Sequence, residues 1–157
     1  MATTYIQRTQ ANGTSSQKFT VSCWLKRSGL TSTQAFWGSG SATNDGCDLV
    51  MSGTDELSFE SWDGSNNPKL ITTRKFKDIS GWYNIVCAVD TTQSTAANRV
   101  NLYVNGVLQT SFATESYGTQ NADNQLWKLN TEHQIGGSSY FKGGYITEVH
   151  CIDGTQY

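Results

Sequence analysis

The sequence predicts an all-β fold, a two-sheet antiparallel jelly-roll sandwich, from three observations. Residues 18–26 alternate strictly between apolar and polar side chains, which is typical of a half-buried strand. Asn105 and Gly106 lie between two alternating runs and supply the two positive-φ residues of a type I′ hairpin turn. Charged residues make up only 15% of the 157 residues, and no stretch has a convincing helical period. Many short strands without helices between them indicate two sheets that face each other.

The strands are predicted in order along the chain. The first clear strand, residues 18–26, places four apolar residues on one face, Phe19, Val21, Cys23 and Leu25. Further alternating or apolar runs predict strands at residues 34–38, 48–52, 56–62, 70–75, 82–90, 99–105, 107–112, 132–135 and 145–152. Turn-rich stretches lie between these strands at residues 43–46 and 62–68. We interpret the basic clusters Lys26-Arg27 and Arg74-Lys75-Lys77 as solvated strand ends.

Length and composition predict one domain, residues 1–157. A chain of this size buries roughly two-thirds of its unfolded surface, enough for a core without a metal or a disulfide. The net charge of −2 argues against a nucleic-acid partner. No basic and apolar leader begins the chain, and no stretch approaches the roughly 18 apolar residues of a membrane span. We therefore expect a soluble protein that does not insert into membranes.

The end of the chain carries a turn signal. Asp153-Gly154 is followed by only three residues. This points to a fragment of a longer protein, and the alternative of a complete chain stays open.

The cysteines are even in number, which in a secreted protein would suggest two disulfides. Cys23 and Cys87 lie in phase with apolar strand residues, however, so we expect Cys23, Cys47, Cys87 and Cys151 to be free core thiols. There is no Cys-x-x-Cys pair, and His150 and Cys151 would point to opposite faces of a strand. The sequence therefore does not favour a zinc site.

Several segments, in this order, resemble the laminin G-like branch of the concanavalin A-like lectin/glucanase superfamily: residues 82–86 (WYNIV), 88–90 (AVD), 100–106 (VNLYVNG), 135–137 (IGG) and 141–149 (FKGGYITEV). More narrowly, residues 5–9 (YIQRT), 19–28 (FTVSCWLKRS) and 148–154 (EVHCIDG) resemble domains of large structural proteins of tailed bacteriophages. The resemblance spans most of the chain. It implies a concanavalin A-like sandwich in a virion fibre, appendage or capsid surface, often with glycan binding.

The same resemblance implies the location and the partners. The protein would be made in the host cytoplasm and reside in the virion, with other virion proteins or copies of itself as neighbours. It does not define a ligand. A lectin-type module of a non-viral secreted or surface protein stays open as the alternative.

A glycan site needs an aromatic ring for the apolar face of a sugar and short polar side chains for its hydroxyls. The candidate carbohydrate-binding residues are one loop, Trp62, Asp63, Asn66 and Asn67, together with Trp127 and Tyr140 in or near other predicted loops. Host-surface polysaccharide would be the partner. The alternative is that the Asp-Gly and Asn-Asn pairs only form turns and that Trp62 caps the core.

The sequence predicts no catalytic residues. Hydrolases of the superfamily carry a Glu-x-Asp-x-Glu or Glu-x-Asp-x-x-Glu strand, which is missing. The nearest substitute, Glu56 and Glu60, would be about 13 Å apart at about 3.3 Å per residue. The two catalytic carboxyl groups are roughly 5–5.5 Å apart in retaining glycosidases and roughly 6.5–9.5 Å apart in inverting ones. Carboxylates from different strands stay open, so a glycoside hydrolase is the less favoured alternative to a non-enzymatic protein.

Two further hypotheses concern metal binding and assembly. No cofactor is expected, with Ca²⁺ at Asp45, Asp48 or Asp63 as an alternative, although no EF-hand loop is present. Trp24, opposite the apolar face of its strand, and Trp37, near residues 38–40, are candidate exposed anchors for an interface. Their alternative is burial by a loop or by the second sheet.

Overall fold

The computed structural model describes residues 5–11, 15–41, 45–64, 68–136 and 144–157. In these ranges the chain forms β-strands and two short 3₁₀ turns, Ala96–Asn98 and Gln125–Trp127. None of the helices in this part of the chain is long and apolar enough to cross a membrane. The strands are β1 Ile6–Thr9, β2 Lys18–Arg27, β3 Gln34–Ser41, β4 Asp45–Met51, β5 Glu56–Trp62, β6 Lys69–Lys75, β7 Tyr83–Asp90, β8 Val100–Val104, β9 Val107–Leu108, β10 Phe112–Ser116, β11 Glu132–Ile135 and β12 Gly144–Asp153.

The strands form two antiparallel sheets. One has seven strands in the order β1-β11-β3-β4-β5-β6-β10, and the other has five in the order β12-β2-β7-β8-β9. The predicted all-β jelly-roll sandwich is confirmed, because the apolar faces of the two sheets enclose one core.

Alternation along each strand builds that core. In β2, Phe19 and Leu25 are fully buried. In the opposite sheet, Leu49, Phe59 and Leu70 lie side by side on β4, β5 and β6 and are at most 2% exposed. Residues that lie directly opposite each other on paired strands share one face of the sheet. Leu49, Phe59 and Leu70 therefore identify the face of β4, β5 and β6 that points inward.

The four cysteines are free thiols in the structure, as expected. Cys23, Cys47 and Cys87 are buried and Cys151 is half-buried. Burial raises the pKa of Cys23 and of Cys151 to about 12. These thiols are therefore protonated at neutral pH and act as small apolar side chains.

The predicted hairpin at Asn105-Gly106 is confirmed. Val104 pairs with Val107, and the two turn residues have φ values of 53° and 74°. The Asn105 side chain also accepts a hydrogen bond from the Asn84 backbone N–H at 2.8 Å, which ties the turn to β7.

Two strand predictions need correction. Residues 107–112 do not form one strand, because the chain leaves the five-stranded sheet after Leu108 and enters the seven-stranded sheet at Phe112. Strand β1 was not predicted, because its four residues are all exposed and show no apolar alternation.

Arg27 corrects the interpretation of Lys26-Arg27 as a solvated strand end. Its side chain is enclosed by the core, with the residue only 1% exposed. The guanidinium donates hydrogen bonds to Gln34 Oε1 at 2.9 Å, to the Phe76 carbonyl at 2.6 Å and to Asp55 Oδ1 at 2.8 Å. Arg27 thus links β2 to the first residue of β3, to the residue before β5 and to the residue after β6 in the other sheet.

Candidate functional site

Trp62 lies at the end of β5, on the outer face of the seven-stranded sheet. Its neighbours Phe59 and Ser61 are buried on the inner face, and alternation turns the half-buried Trp62 outward. Directly across from it on β4 is Gly46, and across from Gly46 on β3 is Gly40. The indole therefore borders a strip of sheet that carries no side chains.

Two carboxylates adjoin this strip on the same outer face. Asp48 of β4 lies directly opposite Glu60 of β5, whose Oε2 forms an ion pair with Lys69 Nζ at 2.8 Å. Burial raises the pKa of Asp48, and the negative charge of Glu60 raises it further. Gly38 leaves room for Asp48, since a Cβ at this position would come within 3.3 Å of Asp48 Oδ1.

The predicted sugar-binding loop is described only in part. Trp62 and Asp63 are half-buried at the end of β5. Asn66, Asn67 and Tyr140 lie outside the described residues, so their placement at a carbohydrate site stays a prediction.

Trp127 belongs to the second 3₁₀ turn, on the inner side of the same sheet. Asn124 caps this turn by accepting a hydrogen bond from the Leu126 N–H at 2.9 Å, and Leu126 is fully buried. The Gln125 backbone bonds to the inward-facing Ser39 and Ser61 side chains at 2.5 Å and 3.1 Å. Trp127 and Trp62 therefore lie on opposite faces of the sheet and do not form one site.

Trp127 lines a cavity of about 260 Å³ at one side of the sandwich. The cavity lies between β1, β11 and β3 of one sheet and β12 of the other. Its polar and aromatic walls include Arg8, Trp37, Trp127 and His133, and Val149 and Cys151 close it from β12. The Trp127 ring centroid is 6.5 Å from that of Trp37 and 5.3 Å from that of His133.

The prediction of Trp37 as an exposed interface anchor was wrong. Trp37 is only 5% exposed, because it faces inward from β3 and packs in the core beneath the second 3₁₀ turn. The alternative, burial by a loop or by the second sheet, holds for Trp37.

Three buried nitrogen atoms around the cavity have no hydrogen-bond partner within the described part of the chain. They are Trp37 Nε1, Trp127 Nε1 and His133 Nδ1. The other ring nitrogen of His133 is 3.1 Å from the Lys128 carbonyl oxygen, which can only accept, so Nε2 carries the proton. Burial lowers the pKa of His133 against the opposing effect of the Lys128 and Leu126 carbonyls. The ring is therefore neutral at pH 7.

His133 and the cavity were missed in the sequence, although one signal was present. His133 and Ile135 are two residues apart in a predicted strand, so the apolar partner places the histidine on the inward face. A polar residue at such a position marks a cavity or a buried hydrogen bond. Nothing in the sequence indicated that β1 and β12 form the remaining walls.

Trp24 lies on the outer face of the five-stranded sheet and is 36% exposed. Trp82 and Tyr145 are also exposed, with ring centroids 6.4 Å apart. Tyr145 lies directly opposite Lys26, which is two residues from Trp24 on β2 and shares its face of the sheet. This aromatic surface fits the interface prediction for Trp24, which stays a prediction.

The described residues include no group of three or more His, Cys, Asp or Glu side chains suited to a metal ion. Asp48 and Asp63 belong to this part of the chain, whereas the Asp45 side chain lies outside it. Calcium binding by these aspartates stays a prediction.

The Laminin G 3 family model, which describes the Concanavalin A-like lectin/glucanases superfamily, matches residues 1–155. A search of curated proteins found no match.

Three solved structures illustrate the likeness in fold. Domain 4 of the extracellular GH43 arabinanase AbnA from Geobacillus stearothermophilus, in complex with arabinotriose, has a TM-score of 0.64 and 22% identity, over 92% of this chain and 64% of that one. The CBM40 of the Ruminococcus gnavus IT-sialidase has a TM-score of 0.63 and 13% identity, over 94% and 91%. Domains LG4-5 of the mouse laminin α1 chain have a TM-score of 0.63 and 13% identity, over 97% and 40%. At these identities the likeness shows the fold alone.

Proposed function

Because the chain belongs to the Laminin G 3 family of the concanavalin A-like lectin/glucanases superfamily, we propose that it is a non-enzymatic module that binds glycans on a surface centred on Trp62. One arrangement carries this proposal. On the outer face of the seven-stranded sheet, a half-buried indole ring borders the side-chain-free strip of Gly46 and Gly40 and adjoins Asp48 and Glu60.

This arrangement suits a sugar chain. The apolar face of a sugar ring would stack on Trp62, which contributes roughly 1–3 kcal/mol from apolar burial. Its hydroxyls would donate hydrogen bonds to Asp48 and Glu60. Lys69 holds Glu60, and Asp48 is half-buried on the neighbouring strand, so the positions of these two carboxylates would determine which sugar hydroxyls fit.

The likeness to domain 4 of AbnA, in complex with arabinotriose, and to a CBM40 supports the proposal at the level of the fold. Functions vary widely on one fold, so the site residues carry the argument.

The carboxylates of β5 fit binding better than hydrolysis. Hydrogen bonds from Thr54 lower the pKa of Glu56 most, burial opposes them, and Ser52 and Lys75 help to hold it at about 2. Glu56 therefore stays ionised and does not serve as a general acid at neutral pH. Glu60 is paired with Lys69.

The hydrolase alternative would use Asp48 and Glu60, which lie on different strands. We expect the purified protein to release no reducing sugar from polysaccharides of the host surface. Release that disappears in Asp48→Asn, with the fold intact by circular dichroism, would establish the hydrolase instead.

Binding is tested with Trp62→Ala against Trp24→Ala, an exposed tryptophan of the other sheet. Affinity electrophoresis in gels that contain host-surface polysaccharide measures both. We expect Trp62→Ala to lose about tenfold or more in affinity, since about 1.4 kcal/mol is tenfold, and Trp24→Ala to bind as the wild type does. Equal binding by a folded Trp62→Ala would refute the site.

A second role, in assembly, is favoured by the exposed aromatic side chains of the five-stranded sheet. Trp24, Trp82 and Tyr145 form an apolar surface of the kind that anchors protein interfaces. We propose that this surface attaches the module to other proteins of a virion or to copies of itself. Mass spectrometry of purified particles tests it: we expect the chain in the particle for the wild type and its loss for Trp24→Ser with Tyr145→Ser. Retention of the double variant would refute the interface.

A further inference from the structure

We infer that the cavity beside β1 is a second binding site, which takes a single sugar ring that carries a carboxylate. The cavity is separate from the Trp62 surface, because the seven-stranded sheet lies between them. It joins side chains from four strands of both sheets and from the second 3₁₀ turn.

The indole N–H groups indicate a ligand rich in hydrogen-bond acceptors. Trp37 Nε1 and Trp127 Nε1 are buried donors without a partner among the described residues, and Trp37 is only 5% exposed. An unpaired buried donor is unfavourable, and native structures rarely leave two of them around one cavity. A bound molecule whose acceptor atoms reached both indole N–H groups would satisfy them.

Charge indicates that the ligand is an anion. Arg8 lines the cavity, and none of its described lining residues is Asp or Glu. The four ion pairs in the described part of the chain do not involve Arg8. A guanidinium and two indole N–H donors among the residues that line one cavity match a carboxylate, which accepts several hydrogen bonds.

His133 adds the feature that selects a hydroxylated ring. Because Nε2 holds the proton, Nδ1 is a hydrogen-bond acceptor. A ligand hydroxyl is the simplest group that donates to Nδ1 and also accepts a hydrogen bond from an indole.

The cavity volume of about 260 Å³ is just below the roughly 300–1,000 Å³ of pockets for drug-sized molecules, so the cavity fits one sugar ring. Ile6, which lines the cavity, is 69% exposed, and the ligand enters along β1.

The test uses nuclear magnetic resonance of the indole N–H groups in the full chain. Glucuronate and galacturonate are titrated against their neutral counterparts, glucose and galactose. We expect at least one of the acids to shift the Trp37 and Trp127 signals, and the neutral sugars to leave them in place at the same concentration. Arg8→Gln should weaken binding of that acid at least tenfold, whereas Arg74→Gln, an exposed arginine of β6, should not change it.

Three results would overturn the inference. The first is that neither acid shifts the Trp37 or Trp127 indole signal, and the second is that acid and neutral sugars shift these signals equally. The third is that Arg8→Gln binds the acid with unchanged affinity. Trp127→Phe keeps an aromatic ring and removes the N–H, so weaker binding by this folded variant supports the donor role. Trp62→Ala should leave binding of the acid intact. Failure of the Trp62 surface is thereby distinguished from failure of the cavity.

Discussion

Arg27 has the lowest exposure of the charged residues that the structure describes, 1%, and it joins the two sheets. The sequence did contain a signal for this position. Along β2, Arg27 lies on the same face as the inward-facing Phe19, Cys23 and Leu25. A pair of basic residues at a strand end is nevertheless solvated in most proteins, and the partner Asp55 is 28 positions away. The strand was predicted to end at Lys26, so Arg27 was expected in solvent and its ion pair with Asp55 was missed.

Replacing Arg27 by Met should destabilise the fold by about 3–5 kcal/mol, because Asp55 would keep a buried and unpaired charge. Urea unfolding measures this, with Lys26→Met as the neighbouring control that stays within about 1 kcal/mol. The double variant Arg27→Met with Asp55→Asn should recover part of the loss. A single variant as stable as the wild type would contradict the role of this pair.

Asp90 makes stability depend on pH. Burial raises the pKa of Asp90, but hydrogen bonds from Thr92, Gln93 and Lys18 outweigh burial and hold it at about 2. The pKa of an unfolded aspartate is about 3.9, so this stabilisation, about 2–3 kcal/mol, is complete above about pH 4 and is lost as pH falls to about 2. We expect the stability difference between wild type and Asp90→Asn to narrow over that range in urea unfolding. A difference independent of pH would show that Asp90 does not titrate in this way.

Strands were predicted best from the sequence where one of their faces is apolar. The alternation of Ile85, Cys87 and Val89 marked β7, and Asn105-Gly106 marked the hairpin. Strand β1 gave no signal, because its four residues at the edge of the sheet are exposed and do not alternate between apolar and polar side chains. The change of sheet between β9 and β10 was missed, because residues 107–112 contain no Gly, Pro, Asn or Asp that would signal a break in the strand.

The hairpin provides a matched test of backbone conformation. Gly106 has a φ of +74°, and a Cβ there would meet no atom within 4 Å, so an Ala at this position is disfavoured only by the left-handed backbone. We expect Gly106→Ala to reduce stability by about 1–2 kcal/mol in thermal unfolding. At Gly29, where a Cβ also meets nothing within 4 Å, Ala should change stability by less than about 0.5 kcal/mol. Equal melting temperatures for the two variants would rule out this account of the turn.

The two-sheet sandwich separates aromatic residues that looked equivalent in the sequence. Trp62 faces outward from one sheet, Trp37 and Trp127 line the cavity inside it, and Trp24 and Trp82 lie on the outer face of the other sheet. Residue type alone nominated Trp62 and Trp127 for one function. Only the pairing of strands shows that a sheet lies between them.

This separation turns the five tryptophans into reporters of where a glycan binds. The most direct measurement is a titration of the labelled chain with host-surface oligosaccharide, in which the five indole N–H signals are followed together by nuclear magnetic resonance. The account predicts that the Trp62 signal shifts and saturates while those of Trp24 and Trp82 stay in place. Saturating shifts at Trp24 and Trp82 with an unmoved Trp62 signal would contradict it.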